Sequence, residues 1–160
     1  MPITLARIDD RLIHGQVVEG WIPHTKAEEV VVVSDESADD PTQAVLMRIA
    51  LPEKVVLSVL KVAAAAARLA GADAEARRLL VLAPGPAEIL GLLEAGVKLK
   101  AVNVGGLHYT AGRVQLGKAI FLGAEDRRAL RRIGEFGVEL EGRAVPSDKA
   151  VDILGLLGGK

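Results

Sequence analysis

The chain has 160 residues, half of them hydrophobic and only 2% aromatic, with no cysteine and a formal net charge of −1 from 20 basic and 21 acidic side chains. That length suits one domain with a core of its own, so residues 1–160 are read as a single domain whose core is built from Val, Ile, Leu and Ala. Without cysteine there are no disulfides, thiolate metal centres or Cys nucleophiles, and the balanced charge offers no broad field to gather nucleic acid or an anionic membrane.

The start, Met-Pro-Ile-Thr-Leu-Ala-Arg, meets Arg7, Asp9 and Asp10 before an apolar segment long enough for a signal peptide can form. Ile3 to Ile8 reads as a strand, followed by a loop and then by Val17, Val18, Trp21 and Ile22 at helical spacing. Glu29 to Ser34 holds four consecutive valines, the pattern of a strand buried on both faces. Asp39 or Asp40 before Pro41 is placed to cap a helix running to Leu51. Val55 to Leu60 reads as a third strand and Val62 to Ala70 as a helix stopped by Gly71. The longest apolar-looking run, Val55 to Ala67, is interrupted by Ser58 and Lys61 and is shorter than the roughly 20 residues a spanning helix needs. A cytoplasmic protein without direct membrane insertion is expected, reaching the inner face of a membrane only through a partner.

Leu79 to Leu82 follows as a fourth strand, then Pro84-Gly85-Pro86 and a helix from Ala87 to Ala95. Ala101 to Val104 and Lys118 to Leu122 read as strands, Ala124 to Phe136 as a charged helix and Val138 to Glu141 as a last strand. A cap at Ser147-Asp148 is expected to open a helix over Ala150 to Leu157, with Gly155 to Lys160 frayed. Strands alternating with helices of this length imply right-handed crossovers and an open, doubly wound, mostly parallel sheet with helices on both faces. In such sheets the chemistry collects outside the carboxyl ends of the strands. Four polar, Gly-rich or Pro-rich loops qualify here: Asp9 to His14, Ser34 to Asp40, Ala83 to Pro86 and Asn103 to His108.

The first of these is the densest. Arg7-Ile8-Asp9-Asp10-Arg11-Leu12-Ile13-His14-Gly15-Gln16 crowds two carboxylates, two guanidiniums and an imidazole onto one strand-to-helix turn. A histidine at a helix start faces free N–H groups and the positive end of the dipole, which disfavour the imidazolium and leave a neutral nucleophile. Those N–H groups also suit a phosphate, and Gly15 lets the backbone approach it. Arg11 or Arg7 can pair with phosphate oxygens, while Asp9 or Asp10 can accept the proton of the second ring nitrogen. A solvated salt-bridge cluster beside a capping histidine is the plainer alternative on spacing alone.

With its continuation into Val17, this loop resembles the active-site loop of the IIB subunits of the phosphoenolpyruvate-dependent sugar phosphotransferase system, mannose/fructose/sorbose family. The resemblance extends through Trp21, Asp39-Asp40-Pro41, Asn103-Val104-Gly105-Gly106 and Val145-Pro146-Ser147-Asp148, most of the chain. Ser34 precedes Asp35 where an Asp pair is frequent, and Leu107 stands where Met is common. The resemblance implies the doubly wound fold and a phosphohistidine carrier without cofactor or metal. His14 is then the acceptor from a IIA partner, with Arg7, Asp10, Arg11 and Gly15 as its phosphate-binding neighbours. The phosphoryl group passes to a sugar carried by the IIC and IID membrane subunits. A regulatory protein sensing the phosphorylation of His14, or a small-molecule binding module, are the rival readings. His24 fits the basic end of the first helix, His108 lies in a loop on the edge expected to carry His14, and the three scattered histidines lack metal spacing.

Overall fold

Four valines in succession, Val30 to Val33, have 0% exposure in β2 (Glu29–Val33), because both faces of that strand are covered. β4 (Leu79–Ala83) is buried in the same way beside it. In this computed structural model, which describes residues 3–71, 77–117 and 119–158, these two strands stand with β1 (Ile3–Ile8) at the middle of a seven-stranded sheet. The remaining strands are β3 (Val56–Leu60), β5 (Ala101–Val104), β8 (Glu139–Gly142) and β9 (Val151–Asp152), in the spatial order β3-β2-β4-β1-β5-β8-β9. Only the β8–β9 pair is antiparallel.

The two faces are covered by different helices. On one lie a π-helical segment (Gln16–Trp21), the α-turn α1 (Ile22–Thr25) that continues it, and α3 (Pro41–Ala50), whose Val17, Trp21, Ile22 and Met47 pack on Val30, Val32, Leu80 and Leu82. On the other lie α4 (Val62–Ala70), α5 (Pro86–Glu94), α6 (Ala124–Glu135) and α7 (Ile153–Leu156), through Ala65, Ile89, Leu130 and Ile153. A short α2 (Asp35–Ala38) precedes α3, and Asp40 caps α3 by accepting the Gln43 N–H at 3.1 Å. The open doubly wound sheet expected from the alternation of elements is the architecture observed.

Three local readings are corrected. Residues 16–21 are wound with i→i+5 bonding, seen where the Ile22 N–H donates to the Val17 carbonyl; apolar spacing over so short a stretch does not separate this winding from an α-helix. The strand read at Lys118 to Leu122 shrinks to β7 (Phe121–Leu122), which forms a separate hairpin with β6 (Val114–Gln115) after a turn at Gly117 with φ +77°; Lys118 lies outside the described residues. The helix read over Ala150 to Leu157 begins only at Ile153, because Val151 and Asp152 pair with β8, and Asp148 closes a turn by accepting the Ala144 and Val145 N–H groups at 3.0 and 3.3 Å. In that helix Ile153 and Leu157 are buried; of the tail read over Gly155 to Lys160, residues 159–160 lie outside the described residues.

Glu29, at the start of β2, is 1% exposed and accepts hydrogen bonds from Arg68, from Arg77 at 3.0 Å and from the Ser58 hydroxyl at 2.6 Å. Burial alone would push its carboxyl up, but the bonds from Arg68, Ser58 and Arg77 outweigh burial and hold it at about 2 instead of 4.5. A carboxyl depressed on folding stabilises fully above its unfolded value and loses that contribution as pH falls through its folded value. Urea midpoints are therefore expected to drop between pH 4.5 and pH 2. Glu29→Gln should lower the midpoint at pH 7 and flatten that acid limb.

Candidate active site

The parallel register determines which loops meet. Arg7 pairs with Leu82 of β4 on one side and Asn103 of β5 on the other. At the carboxyl ends the Asp9 N–H donates to the Ala83 carbonyl at 2.9 Å, the Gly105 N–H to Ile8 at 2.7 Å and the Asp10 N–H to Gly106 at 3.0 Å. The loop after β1 is thus laced between those after β4 and β5. Its turn is completed by Leu12, a buried residue held at φ +56°.

A chain of charged groups runs outward from the sheet. Arg7 is 0% exposed and spans the Trp21 ring at 5.1 Å. One end of its guanidinium donates to the Asn103 side chain and, at 2.9 Å, to the Arg143 carbonyl; the other donates to Asp9 Oδ2 at 2.9 Å and the Ala144 carbonyl at 3.1 Å. Burial pulls this guanidinium below its usual value, and Asp9 opposes the shift. Asp9, also 0% exposed, receives both Arg7 and the Nε and Nη2 groups of Arg11, at 3.0 and 2.9 Å. Burial would raise the Asp9 carboxyl, but Arg11, the Gly106 backbone, Arg7 and His14 together hold it below the usual carboxylate range. It stays an anion.

His14 completes the chain, its side chain 17% exposed against 45% for Arg11. Its Nδ1 lies 2.9 Å from the Leu12 carbonyl, and its Nε2 lies 3.6 Å from Asp9 Oδ2 and 3.5 Å from Gln16 Oε1. The His14 carbonyl accepts from Val17 and Val18 at 3.0 and 2.9 Å, so the N–H groups of Gly15 and Gln16 precede the first bond of the helical segment. A Cβ on Gly15 would meet nothing within 4 Å, which puts open space next to the imidazole.

The structure sorts the residues singled out from sequence. His14, Arg11 and Gly15 share the outer edge, where the Arg11 side chain is 45% exposed. Arg7 does not reach this edge: its side chain is fully buried, and its Nη1 and Nη2 groups are both engaged by protein groups, Asp9 among them. Between the two carboxylates left open by the sequence, Asp9 faces His14. Asp10 turns away and accepts the His108 backbone N–H at 2.8 Å together with the His108 Nδ1–H. Asn103, Gln16 and the Arg143 and Ala144 carbonyls were missed. Asn103 carried a usable signal, because a polar side chain between valines of a buried parallel strand must find a partner. Trp21 does more than anchor a helix, since its indole N–H also binds the Ala144 carbonyl at 3.0 Å.

Gly105 belongs to the same arrangement. A Cβ there would run into the Arg7 guanidinium and the Asp9 carboxylate. Gly105→Ala is therefore expected to force the buried pair apart and lower stability by about 1–3 kcal/mol, the usual cost of overpacking, measured as a shift in urea midpoint.

Comparison with known proteins agrees with this geometry. Residues 3–160 match the family model described as the sorbose-subfamily IIB component of the PTS, the phosphotransferase system. The chain is 37% identical over 157 residues to a fructose-specific EIIB component of Bacillus subtilis, covering 98% of this chain and 96% of that protein. It is 36% identical to the mannose-specific EIIAB component of Escherichia coli, covering 98% of this chain but 49% of the relative. Among solved structures, the IIBSor domain of the sorbose permease from Klebsiella pneumoniae superposes with a TM-score of 0.94 at 34% identity, over 100% of this chain and 98% of that one. With the charged loop, the sheet order and the whole-length match in agreement, the chain belongs to the sorbose-subfamily IIB components of the PTS, which are sugar phosphotransferases.

Proposed function

We propose that His14 accepts a phosphoryl group from a phosphohistidine of a IIA unit and passes it to a sugar translocated by IIC and IID membrane subunits. The observation that carries this reading is one charged chain that joins the sealed sheet to a histidine at its edge. Arg7 and Asp9 are buried in the sheet, the Arg11 side chain is 45% exposed, and His14, 17% exposed, has open space beside it at Gly15. A buried anion with two guanidiniums orients the imidazole, while the exposed guanidinium is free to swing from Asp9 to an incoming phosphate, where a bidentate pair forms equally well. Each His14 nitrogen faces an acceptor, and the neutral ring has one proton to give. The ring must therefore turn off an acceptor before its unprotonated nitrogen can attack.

In the transfer the P–N bond of the donor breaks as a P–N bond to His14 forms, with Arg11 and the Gly15 and Gln16 N–H groups meeting the equatorial oxygens. The relatives are named for sorbose, fructose and mannose, and the acceptor here belongs to the same class of small sugars. None of the described helices is long and apolar enough to cross a membrane. Contact with the membrane then goes through IIC and IID, on its cytoplasmic side.

The test supplies phosphoenolpyruvate, the general phosphotransferase proteins and a partner IIA, and follows labelled phosphate. One acid-labile, base-stable phosphate per chain is expected, discharged when membranes carrying IIC and IID and a sugar are added. Absence of label overturns the acceptor role, and label that never reaches a sugar overturns the transport role.

A further inference from the structure

Arg7, Asp9, Asp10 and Arg11 all carry a formal charge, and Gln16 joins them at the outer edge as a neutral amide. Its Oε1 accepts from Arg11 Nη2 at 2.9 Å and lies 3.5 Å from His14 Nε2. A guanidinium only donates, so the atom turned toward it is the amide oxygen, and the N–H groups of the amide point elsewhere. Among the described residues nothing accepts from those N–H groups. Gln16 is the first residue of the π-helical segment and is half-buried, so its backbone is held by the helix while its side chain borders solvent.

Holding Arg11 does not by itself call for an amide. A carboxylate on a side chain of the same length would accept from the guanidinium through a stronger, charge-assisted bond. Nor is Arg11 short of partners, since its Nε and the same Nη2 already donate to Asp9 at 3.0 and 2.9 Å. What an amide has and a carboxylate lacks is a donor. Its last torsion is broad and roughly two-fold, so it can present either end to the same place at little cost. The place beside His14 changes sign during phosphoryl transfer: a guanidinium occupies it while the ring is bare, and an anion arrives when the ring is loaded.

We propose that the Gln16 side chain is a ligand of the phosphoryl group on His14 and that it reverses its polarity between the two states of the carrier. The inference rests on His14 being that carrier. With the ring bare, Oε1 accepts from Arg11. As the P–N bond to His14 forms and that of the donor breaks, Arg11 turns to the phosphoryl oxygens, the amide turns end for end, and Nε2–H donates to one of those oxygens. No proton leaves or joins Gln16; a bond accepted from a cation is exchanged for one donated to an anion. The bare state loses little without Gln16, because Arg11 keeps Asp9, whereas the loaded state loses a hydrogen bond to a charged group. Gln16 thus biases the phosphate toward this chain.

The experiment equilibrates the full chain with phosphorylated IIA and reads the share of labelled phosphate on each protein. Gln16→Met, close in length but without the amide, is expected to move that equilibrium toward IIA at least about 10-fold, the loss of one hydrogen bond to a charged group. Gln16→Glu keeps a partner for Arg11 but sets a carboxylate beside the phosphate, and is expected to move it further. In the unmodified chain, NMR of the isotope-labelled protein should show the Gln16 side-chain amide, identified by its loss in either variant, coupled to phosphorus once His14 is loaded. An equilibrium that stays in place or moves toward this chain in Gln16→Met means that Gln16 only props Arg11, and overturns the inference; so does an amide signal without that coupling. Failure of the unmodified chain to load at all overturns the carrier reading and this inference with it. Normal loading with an unmoved equilibrium in Gln16→Met overturns this inference alone.

Discussion

His14→Ala is expected to leave a folded chain that takes up no acid-labile phosphate, with loading below about one part in 1,000 of the unmodified rate, because the nucleophile itself is removed. The fold should survive. The polar contacts of the imidazole among the described residues all lie within its own turn, to Leu12, Gln16 and Asp9. Asp9 keeps Arg7 and Arg11 without it. Circular dichroism and urea midpoint close to those of the parent, together with loss of label, make up the expected result. Label persisting in the variant would place the acceptor elsewhere, and the other histidines would then have to be substituted in turn.

The second large effect is on stability. Arg7→Met removes the cation beneath Asp9 and strips partners from Asn103 and from the Arg143 and Ala144 carbonyls. Breaking a buried ion pair from one side costs about 3–5 kcal/mol, because the remaining charge is stranded. Set against the roughly 5–15 kcal/mol that holds a domain together, that is a large fraction. Arg11 compensates only in part, since its side chain is 45% exposed and reaches Asp9 from the solvent side. The expected measurement is a lower urea midpoint at unchanged slope, together with weakened loading as Asp9 and the His14 ring lose their fixed positions. Arg7→Lys should recover little of this, because one ammonium cannot span Asn103, two carbonyls and Asp9 as the planar fork does. A loss below about 1 kcal/mol in Arg7→Met would show that the buried pair does not hold this loop together.

Between them the two variants separate the ends of one structure. His14 lies at its outer edge and Arg7 at its root. Sequence reasoning treated Arg7, Asp10 and Arg11 alike as neighbours of a phosphate, since charge type and nearness in the chain are all that spacing reports. Burial distinguishes them. Arg7 falls on the core side of β1, Asp10 turns toward the loop after β5, and Arg11 alone remains placed to change partners.

The periodicity of the chain was enough to determine the class of fold. Runs such as Val30 to Val33 and Leu79 to Leu82 can only be strands covered on both sides, and helices between them leave few topologies besides a doubly wound parallel sheet. It was also enough to single out the loop at His14, because charges of both signs packed into one strand-to-helix turn are a local pattern. Very short elements escaped it: β6 and β9 have two residues each, and a two-residue strand exists only because another strand lies beside it. The π winding after Gly15 escaped for the same reason, its hydrogen bonds differing by one residue while the buried set stays the same. The roles of Asn103, Asp9 and His108 were decided by tertiary structure alone. Each depends on a partner from another strand or loop, 96 residues away for Arg7 and Asn103 and 98 for Asp10 and His108. The sequence by itself named the histidine and its charged turn; only the parallel register of β1 against β4 and β5 decided which carboxylate faces it.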